Sequence, residues 1–485
     1  MESGVSETRA IIYWLRRDLR LADHPGLAAA AASGRPVVPV FIHDESVAAL
    51  GAAPAFRLGL GLERFGATLG DMGSRLILRR GSAPAVLQAL IAETGAGAVW
   101  WTREYTPQAI TRDSALKTAL QQAGIEARSF GGALLFEPWT VETGAGGFYK
   151  VYTPFWRAVS QREVSAPDPA PARVRPPEAW PGSEALSDWG LGAPMRRGAA
   201  VVATHQAPGE AAALERLDRF IATGIGQYDA CRDLPAGDGT STLSDALSLG
   251  EIGPRTLWHR AGEAAHKGAQ GAETFLKQLV WRDFAYHLMY HTPHLLSENW
   301  RPGWEVFPWA TDPADPGFVA WTRGRTGVPL VDAAMREMYV TGRMHNRARM
   351  IAASYLTKHL MVHWKLGMDW FADCLTDWDP AANAMGWQWV AGCGPDAAPY
   401  FRIFNPETQA KKFDPKGRYR NHWIAEGQAE PPRAALSYFD AVPRSWNLRP
   451  DASYPPPIMA LDQGRRRALS AYASAFSQGS DGKLA

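Results

Sequence analysis

Within thirteen positions, Asp377, Asp379, Asn383, Trp387 and Trp389 place two carboxylates, one amide and two indoles. Carboxylates and an amide can hydrogen-bond the polar edge of a flat heterocycle, and indoles can stack on bases or pass electrons. Asp379 followed by Pro380 reads as a helix N-cap with proline at the first helical position. Asp379, Asn383 and Trp387 then recur at i, i+4 and i+8 on one helix face, while Trp389 points elsewhere. Taken alone, a capped helix with a Trp-rich core face accounts for the segment and is the favoured reading.

Four further stretches carry comparable chemistry. From Tyr228 to Ser244 the chain holds Arg232 and then Gly239, Thr240, Ser241, Thr242 and Leu243. A tight turn with hydroxyls and amides beside a helix start suits a phosphate, and a plain Ser/Thr cap suits it too. In the run from Gly342 to Met350, Asn346, Arg349 and Met350 share a helix face and Arg347 points away from it, toward a possible phosphate. Arg349, inside an apolar run, requires a carboxylate partner, and Asp377 is the natural candidate. Trp281, Arg282 and Asp283 lie on an amphipathic helix, where a lone Trp is ordinarily core. Tyr400, Phe401, Arg402 and Phe404 precede Lys411, Lys412, Lys416, Arg418 and Arg420; interleaved basic and aromatic residues track phosphates, and a solvated charged loop fits equally.

The elements that position these residues divide the chain in two. The first part alternates strand and helix signals: Ile11–Leu15, 36–42, Arg75–Arg79, Ala98–Thr102 and Glu126–Phe130 read as strands, with helices near 25–32, 83–94 and 107–123. That alternation predicts a doubly wound, mostly parallel α/β sheet. No GxGxxG follows the first strand, so the dinucleotide fingerprint is absent. Pro167, Pro169, Pro171, Pro176, Pro177 and Pro181 mark an extended connector. From Pro208 onward the pattern is helical, over 210–223, 256–267, 272–291, 330–341, 345–363 and 368–376, and a large all-α domain is expected.

Composition bounds the partners. The chain has 485 residues, 46% hydrophobic and 21% charged, long enough for two or three globular, soluble domains. Net charge is only +2, so nucleic-acid affinity must come from a local basic patch. Three dispersed cysteines, Cys231, Cys374 and Cys393, argue for a reducing compartment and against a thiolate zinc site. His287, His291 and His294 lie in no HExxH pattern, and no metal site is expected. The N-terminus shows no signal-peptide pattern and no apolar run spans a bilayer, so a cytoplasmic protein without membrane association is expected. Of 20 Trp, thirteen lie at or beyond Trp258, more than core packing obviously needs.

Together the stretches YxxxRDxPxxDGTSxLS, WRDF, MHNRARM and GWQWVAG…DAAPYFRIFNP resemble the photolyase/cryptochrome flavoprotein family, specifically microbial cyclobutane pyrimidine dimer photolyases of class I or III type. The resemblance covers nearly the whole chain, and the segment Trp14 to Arg20 is similar to the family's opening strand and turn. It implies an α/β antenna domain over 9–140, a linker over 141–207, an all-helical FAD- and DNA-binding domain over 208–476 and a flexible tail over 477–485. It implies FAD, reduced and anionic when functional, that donates an electron to a flipped-out dimer and takes it back. Tyr228 and Thr240 to Ser244 match the family's phosphate segment. Arg349 and Asp377 match the ion pair beside the isoalloxazine, Asp379 the partner of its pyrimidine edge, and Asn383 the residue facing N5. Trp281 and Trp389 match the aromatic walls around the lesion, and Asn346 and Met350 its polar and soft contacts. Arg232, Arg282, Arg347 and Arg402 match basic positions on the DNA or pocket side. Trp387, Trp364 and Trp309 match the chain that brings electrons to the flavin, Trp309 with two extra residues allowed before Trp321.

Two positions depart from the family pattern. Gln278 stands where many cyclobutane-dimer photolyases carry glutamate, and glutamine there is found in (6-4) photolyases. Those enzymes use paired histidines where this chain has His345 and Asn346, so the cyclobutane dimer remains the expected substrate, with Gln278 contacting the bases. The family's folate-binding Asn-Glu pair falls on Gln108 and Ala109. A methenyltetrahydrofolate antenna held differently, near Trp101, Glu104 and Glu137, is favoured over a deazaflavin. Photolyases carry asparagine at the Asn383 position where plant cryptochromes carry aspartate, which with the short C-terminal extension favours repair over blue-light signalling. UV-damaged DNA is the implied partner, and a monomer is expected.

Overall fold

The computed structural model describes residues 8–397 and 401–476; the expectations for Tyr400 and for the tail Ser477–Ala485 fall outside them. Five parallel strands, β1 (Ile11–Leu15), β2 (Val37–His43), β3 (Ile77–Arg80), β4 (Ala98–Thr102) and β5 (Glu126–Phe130), form one sheet in the order β3-β2-β1-β4-β5. β1 is central, with Ile11 opposite both Val37 and Ala98. All of β1 is buried, because helices cover both faces of a parallel sheet. Ile11, Tyr13 and Leu15 enter one apolar core, and Ile12 and Trp14 the other.

Helices α1 (Pro25–Ala32), α2 (Ala52–Asp71), α3 (Ala83–Thr94) and α4 (Pro107–Gln122) connect the strands. The sequence signals α1, α3 and α4 but not α2, whose glycines at 59, 61, 66 and 70 weaken its intrinsic preference. Burial of Leu58, Leu62, Phe65 and Leu69 at helical spacing outweighs that deficit.

Between residues 141 and 207 the chain forms α5 (Tyr152–Val159) and a short helix at Gly198–Ala203. Tyr152, Phe155 and Val159 of α5 pack with Val280, Phe284 and Leu288. The Pro-rich stretch runs along the sheet domain: Val37 N donates to Arg175 O at 2.8 Å and Asp23 N to Asp168 O at 2.7 Å.

The remainder is helical, with α6 (Glu210–Thr223), α7 (Ser244–Leu249), α8 (Pro254–His266), α9 (Ala272–His291), α10 (Pro329–Thr341), α11 (Asn346–Ser354), α12 (Trp364–Cys374), α13 (Pro380–Ala391), α14 (Pro406–Phe413) and α15 (Leu461–Phe476). Its largest apolar core contains Trp304, Trp309, Trp321, Trp364, Trp387 and Trp423, so much of the tryptophan excess is structural. The single helix expected over 345–363 is instead α11 followed by a π-helical turn, Tyr355–Leu360, which ends at Met361 with φ 55°. The loosened turn presents Thr357 O, which accepts from Trp309 Nε1 at 3.0 Å. α12 begins at Trp364, four residues before the expected start, because His363 Nδ1 accepts from Lys365 N at 3.1 Å and caps it. Among the described residues no helix is long and apolar enough to cross a membrane, and no His/Cys/Asp/Glu group could hold a metal ion.

Candidate functional site

A cavity of about 650 Å³ opens among α7, α9, α10, α11, α12, α13 and the loop before α7, a size that suits a dinucleotide cofactor. Asn383, Trp387 and Val390 of α13 line it at helical spacing. Asp379 is the N-cap that starts this helix: its Oδ1 accepts from Ala382 N at 2.9 Å and its Oδ2 from Tyr286 Oη at 2.6 Å. Asn383 Nδ2 donates to Met368 O at 3.1 Å, which assigns the amide orientation and leaves Oδ1 as a free acceptor on a cavity-lining residue.

The expected partnership of Arg349 and Asp377 forms, with Arg349 Nη2 2.7 Å from Asp377 Oδ2 and Arg349 Nε donating to Met344 O. The second oxygen, Asp377 Oδ1, is buried without a partner, as are Arg343 Nε and His345 Nε2, all on residues of the cavity wall. Burial pushes the His345 imidazole down to about 4; Nδ1 accepts from Arg347 N, so Nε2 carries the proton. One unpaired acceptor and two unpaired donors on residues of the same cavity wall fit a ligand with a mixed polar edge. Glu337 also lines the cavity; burial pushes its carboxyl up to about 7, and Tyr419 Oη and His345 N donate to its Oε2.

The loop before α7 contributes Thr240 to Ser244, with Tyr228 beside it. Gly239 is required there, since a Cβ would come within 2.6 Å of Cys231 O. Thr242 adopts φ 51°, an uncommon conformation for a β-branched residue. The cavity wall also carries Gln278 and Arg282 from α9 and Asn346 and Met350 from α11, whose Asn346 Nδ2 reaches Met350 Sδ at 3.8 Å. Arg282 is held inward, donating from Nη1 to Ala133 O at 2.6 Å.

Apart from Trp387, the other residues singled out by the sequence lie around this cavity rather than in its wall. Trp281 stacks on Tyr152 at 3.7 Å and 11°. Trp389 Nε1 donates to Asp396 O at 3.0 Å, and the Arg402 guanidinium lies 5.7 Å from the Trp389 ring. Arg347 pairs with Asp233 at 2.6 Å and sits over Phe413, and Arg232 lies 3.9 Å from the same Asp233. Trp387, Trp364 and Trp309 are all buried. Trp364 and Trp309 meet through the His363 ring, at 5.4 and 5.2 Å, while Trp387 contacts Phe371 at 4.9 Å and Trp321 at 6.0 Å. α12 presents Gly367 to the Trp387 indole, where a Cβ would come within 2.1 Å. Near β4, Trp101 is buried in the sheet core, Glu104 pairs with Arg16 and Arg112, and Glu137 pairs with Arg103.

Several contributors carry no local sequence signal. Arg17, from the turn after β1, donates to Trp378 O at 3.0 Å and to Ser248 Oγ at 3.2 Å, so the sheet domain pins the Asp377–Asp379 segment. Tyr286, Met368, Glu337 and Arg343 join the site only through long-range contacts.

This fold and cavity place the chain in the class of two-part flavoproteins with an α/β front and a helical flavin domain. Residues 11–174 match the family model of DNA photolyase, and residues 275–474 that of the FAD binding domain of DNA photolyase. The chain is 43% identical over 473 residues to the deoxyribodipyrimidine photo-lyase of Agrobacterium fabrum, covering 96% of this chain and 98% of that one. It is 38% identical to that of Halobacterium salinarum, covering 95% and 98%. The crystal structure of a class III photolyase from Agrobacterium tumefaciens superposes with a TM-score of 0.89 at 42% identity, covering 97% and 98%. The chain belongs to the DNA photolyase family, and its helical domain is an FAD-binding domain.

Proposed function

We propose that this protein is a light-driven deoxyribodipyrimidine photo-lyase that repairs cyclobutane pyrimidine dimers in damaged DNA. The observation that carries the reading is the single cavity lined by Arg349–Asp377, Asp379 and the oriented Asn383 amide together with Gln278, Asn346 and Met350. Reduced FAD bound there supplies the electron that splits the dimer under blue light and recovers it afterwards. The protein's own residues do the rest. Tyr228 and Thr240 to Ser244 hold the phosphates, with hydroxyls and backbone amides beside the start of α7. Asp377 and Asp379 accept from the polar edge of the ring system. Asn383 offers a neutral acceptor, which adds no charge near the site of reduction and has no readily lost proton. Gln278, Asn346 and Met350 meet the flipped lesion, Trp281 and Trp389 flank it, and Arg232, Arg282, Arg347 and Arg402 supply the positive field around it. Trp387, Trp364 and Trp309 return oxidised cofactor to its working state. A folate antenna is favoured over a deazaflavin, and the protein works as a cytoplasmic monomer.

Gln278 supports one other reading, repair of (6-4) lesions, and retention of FAD without repair would mark a blue-light receptor. Reduced protein illuminated with oligonucleotides that each carry one defined lesion separates the three. Restoration of the cyclobutane dimer alone is expected. Restoration of the (6-4) lesion alone refutes the proposal, and repair of neither lesion identifies a receptor.

A further inference from the structure

Behind the phosphate loop lies a charge cluster that the repair chemistry does not explain. Asp245, the second residue of α7, is fully buried and faces three arginines. Arg216 Nη1 reaches its Oδ1 at 2.9 Å, Arg343 Nη2 its Oδ2 at 2.7 Å, and Arg57 Nε the same Oδ2 at 3.4 Å. The carboxylate is held well below its usual range, with the Arg343, Arg216 and Arg57 guanidiniums outweighing the burial that would raise it. Glu251, also fully buried, takes the remaining donors of Arg57, with Nη1 at 2.8 Å. Three guanidiniums against two carboxylates leave one net positive charge on a largely buried cluster that opens only at Arg343, an expensive arrangement unless a further anion completes it.

Arg343 is the member that reaches the cofactor cavity. Its side chain is 22% exposed, whereas those of Arg57, Asp245 and Glu251 are fully covered. It sits in the turn between α10 and α11, where Thr341 Oγ1 accepts from its backbone N at 3.0 Å. Arg343 Nε is buried with no partner. The same cluster also shapes the loop that faces it: Arg216 Nη1 donates to Thr242 O at 2.7 Å, holding the residue with positive φ. An unpaired donor, an uncompensated charge and a strained loop of amides and hydroxyls thus converge on one end of the cavity.

We propose that Arg343 is an additional anchor for the diphosphate of the dinucleotide, aimed by Asp245 as a positioning residue and tied to the sheet domain through Arg57. The proposal rests on the cavity being the FAD site. A phosphate of the diphosphate supplies the one negative charge that balances the cluster, and the guanidinium gives charge-assisted hydrogen bonds that a neutral side chain cannot. Because Arg57 belongs to α2, cofactor retention is coupled to the packing of the two domains.

The test follows FAD release from holoprotein, read as the rise in flavin fluorescence, over a range of ionic strength. Arg343→Met is expected to release FAD about tenfold to a hundredfold faster, the loss of one charge-assisted contact. The salt-driven acceleration of the wild-type protein should shrink in that variant, since the screened contact is gone. Arg343→Lys should fall between the two, keeping the charge but unable to serve Asp245 and a phosphate together. If Arg343→Met fails to accumulate, Arg343→Gln supplies the same comparison. Release at the wild-type rate, or faster release with the wild-type salt dependence, overturns the proposal. Wild-type protein that retains no FAD would instead overturn the cofactor reading beneath it.

Discussion

At the scale of single residues, the site works by fixing polar atoms in place before any ligand arrives. Asn383 would be free to flip its amide in water, but Met368 O takes its Nδ2 and leaves one acceptor available. Asp379 spends one oxygen on the cap of α13 and the other on Tyr286, so the carboxylate cannot rotate. Trp387 is buried where α12 and α13 meet and lines the cavity. Trp387→Phe should lose most photoreduction of oxidised protein while repair by chemically reduced protein stays near wild type. Photoreduction at the wild-type rate in that variant would remove Trp387 from the path.

At the scale of elements, close approach of helices decides which side chains reach the cavity. Gly367 of α12 leaves the space that the Trp387 ring occupies. Gly367→Ala forces a methyl into that contact, and overpacking of this kind costs about 1–3 kcal/mol. Thermal unfolding should report the loss, and altered flavin fluorescence of the holoprotein should report a displaced indole. An unchanged melting temperature together with unchanged fluorescence would show that the helix contact relaxes without moving Trp387. The π-helical turn after α11 has a related effect, since it presents Thr357 O to the Trp309 indole instead of continuing the regular ladder.

At the scale of the whole molecule, buried titratable groups set the response to acid. Burial pushes the imidazoles of His287, His345, His359 and His363 down to about 4, so they stay neutral in the folded chain. Unfolding frees them to take protons below about 6.5. Asp283 and Glu337 oppose this trend, because burial pushes both carboxyls up to about 7 and the folded chain keeps protons that the unfolded chain releases. Between about pH 4.5 and 6.5 the unfolded state gains four protons at the histidines while the folded state holds two at the carboxyls. Stability should therefore fall as pH drops through this window, measurable as a lower urea midpoint. A midpoint that is flat or rises on acidification would contradict the balance. His359→Phe should weaken the acid sensitivity, since it removes one of the four histidines.

The sequence alone determined what depends on neighbours along the chain. All five strands, the helices from 210 to 223 and from 272 to 291 and the Asp379 cap were legible, because periodicity and capping are local properties; the segments that line the cavity were picked out by the family resemblance. Arg349 within an apolar run even pointed to Asp377, since a buried charge demands a partner. Only the tertiary structure decided the rest. α2 forms despite its glycines because the sheet supplies a surface for its leucines. Arg347 reaches Asp233, and Arg17 reaches across to Trp378, through contacts that no spacing encodes. Arg343 joins its charge cluster only through Asp245, which Arg57 of the sheet domain also reaches. Pairing of buried charges is settled by which surfaces meet, and that is a property of the folded chain.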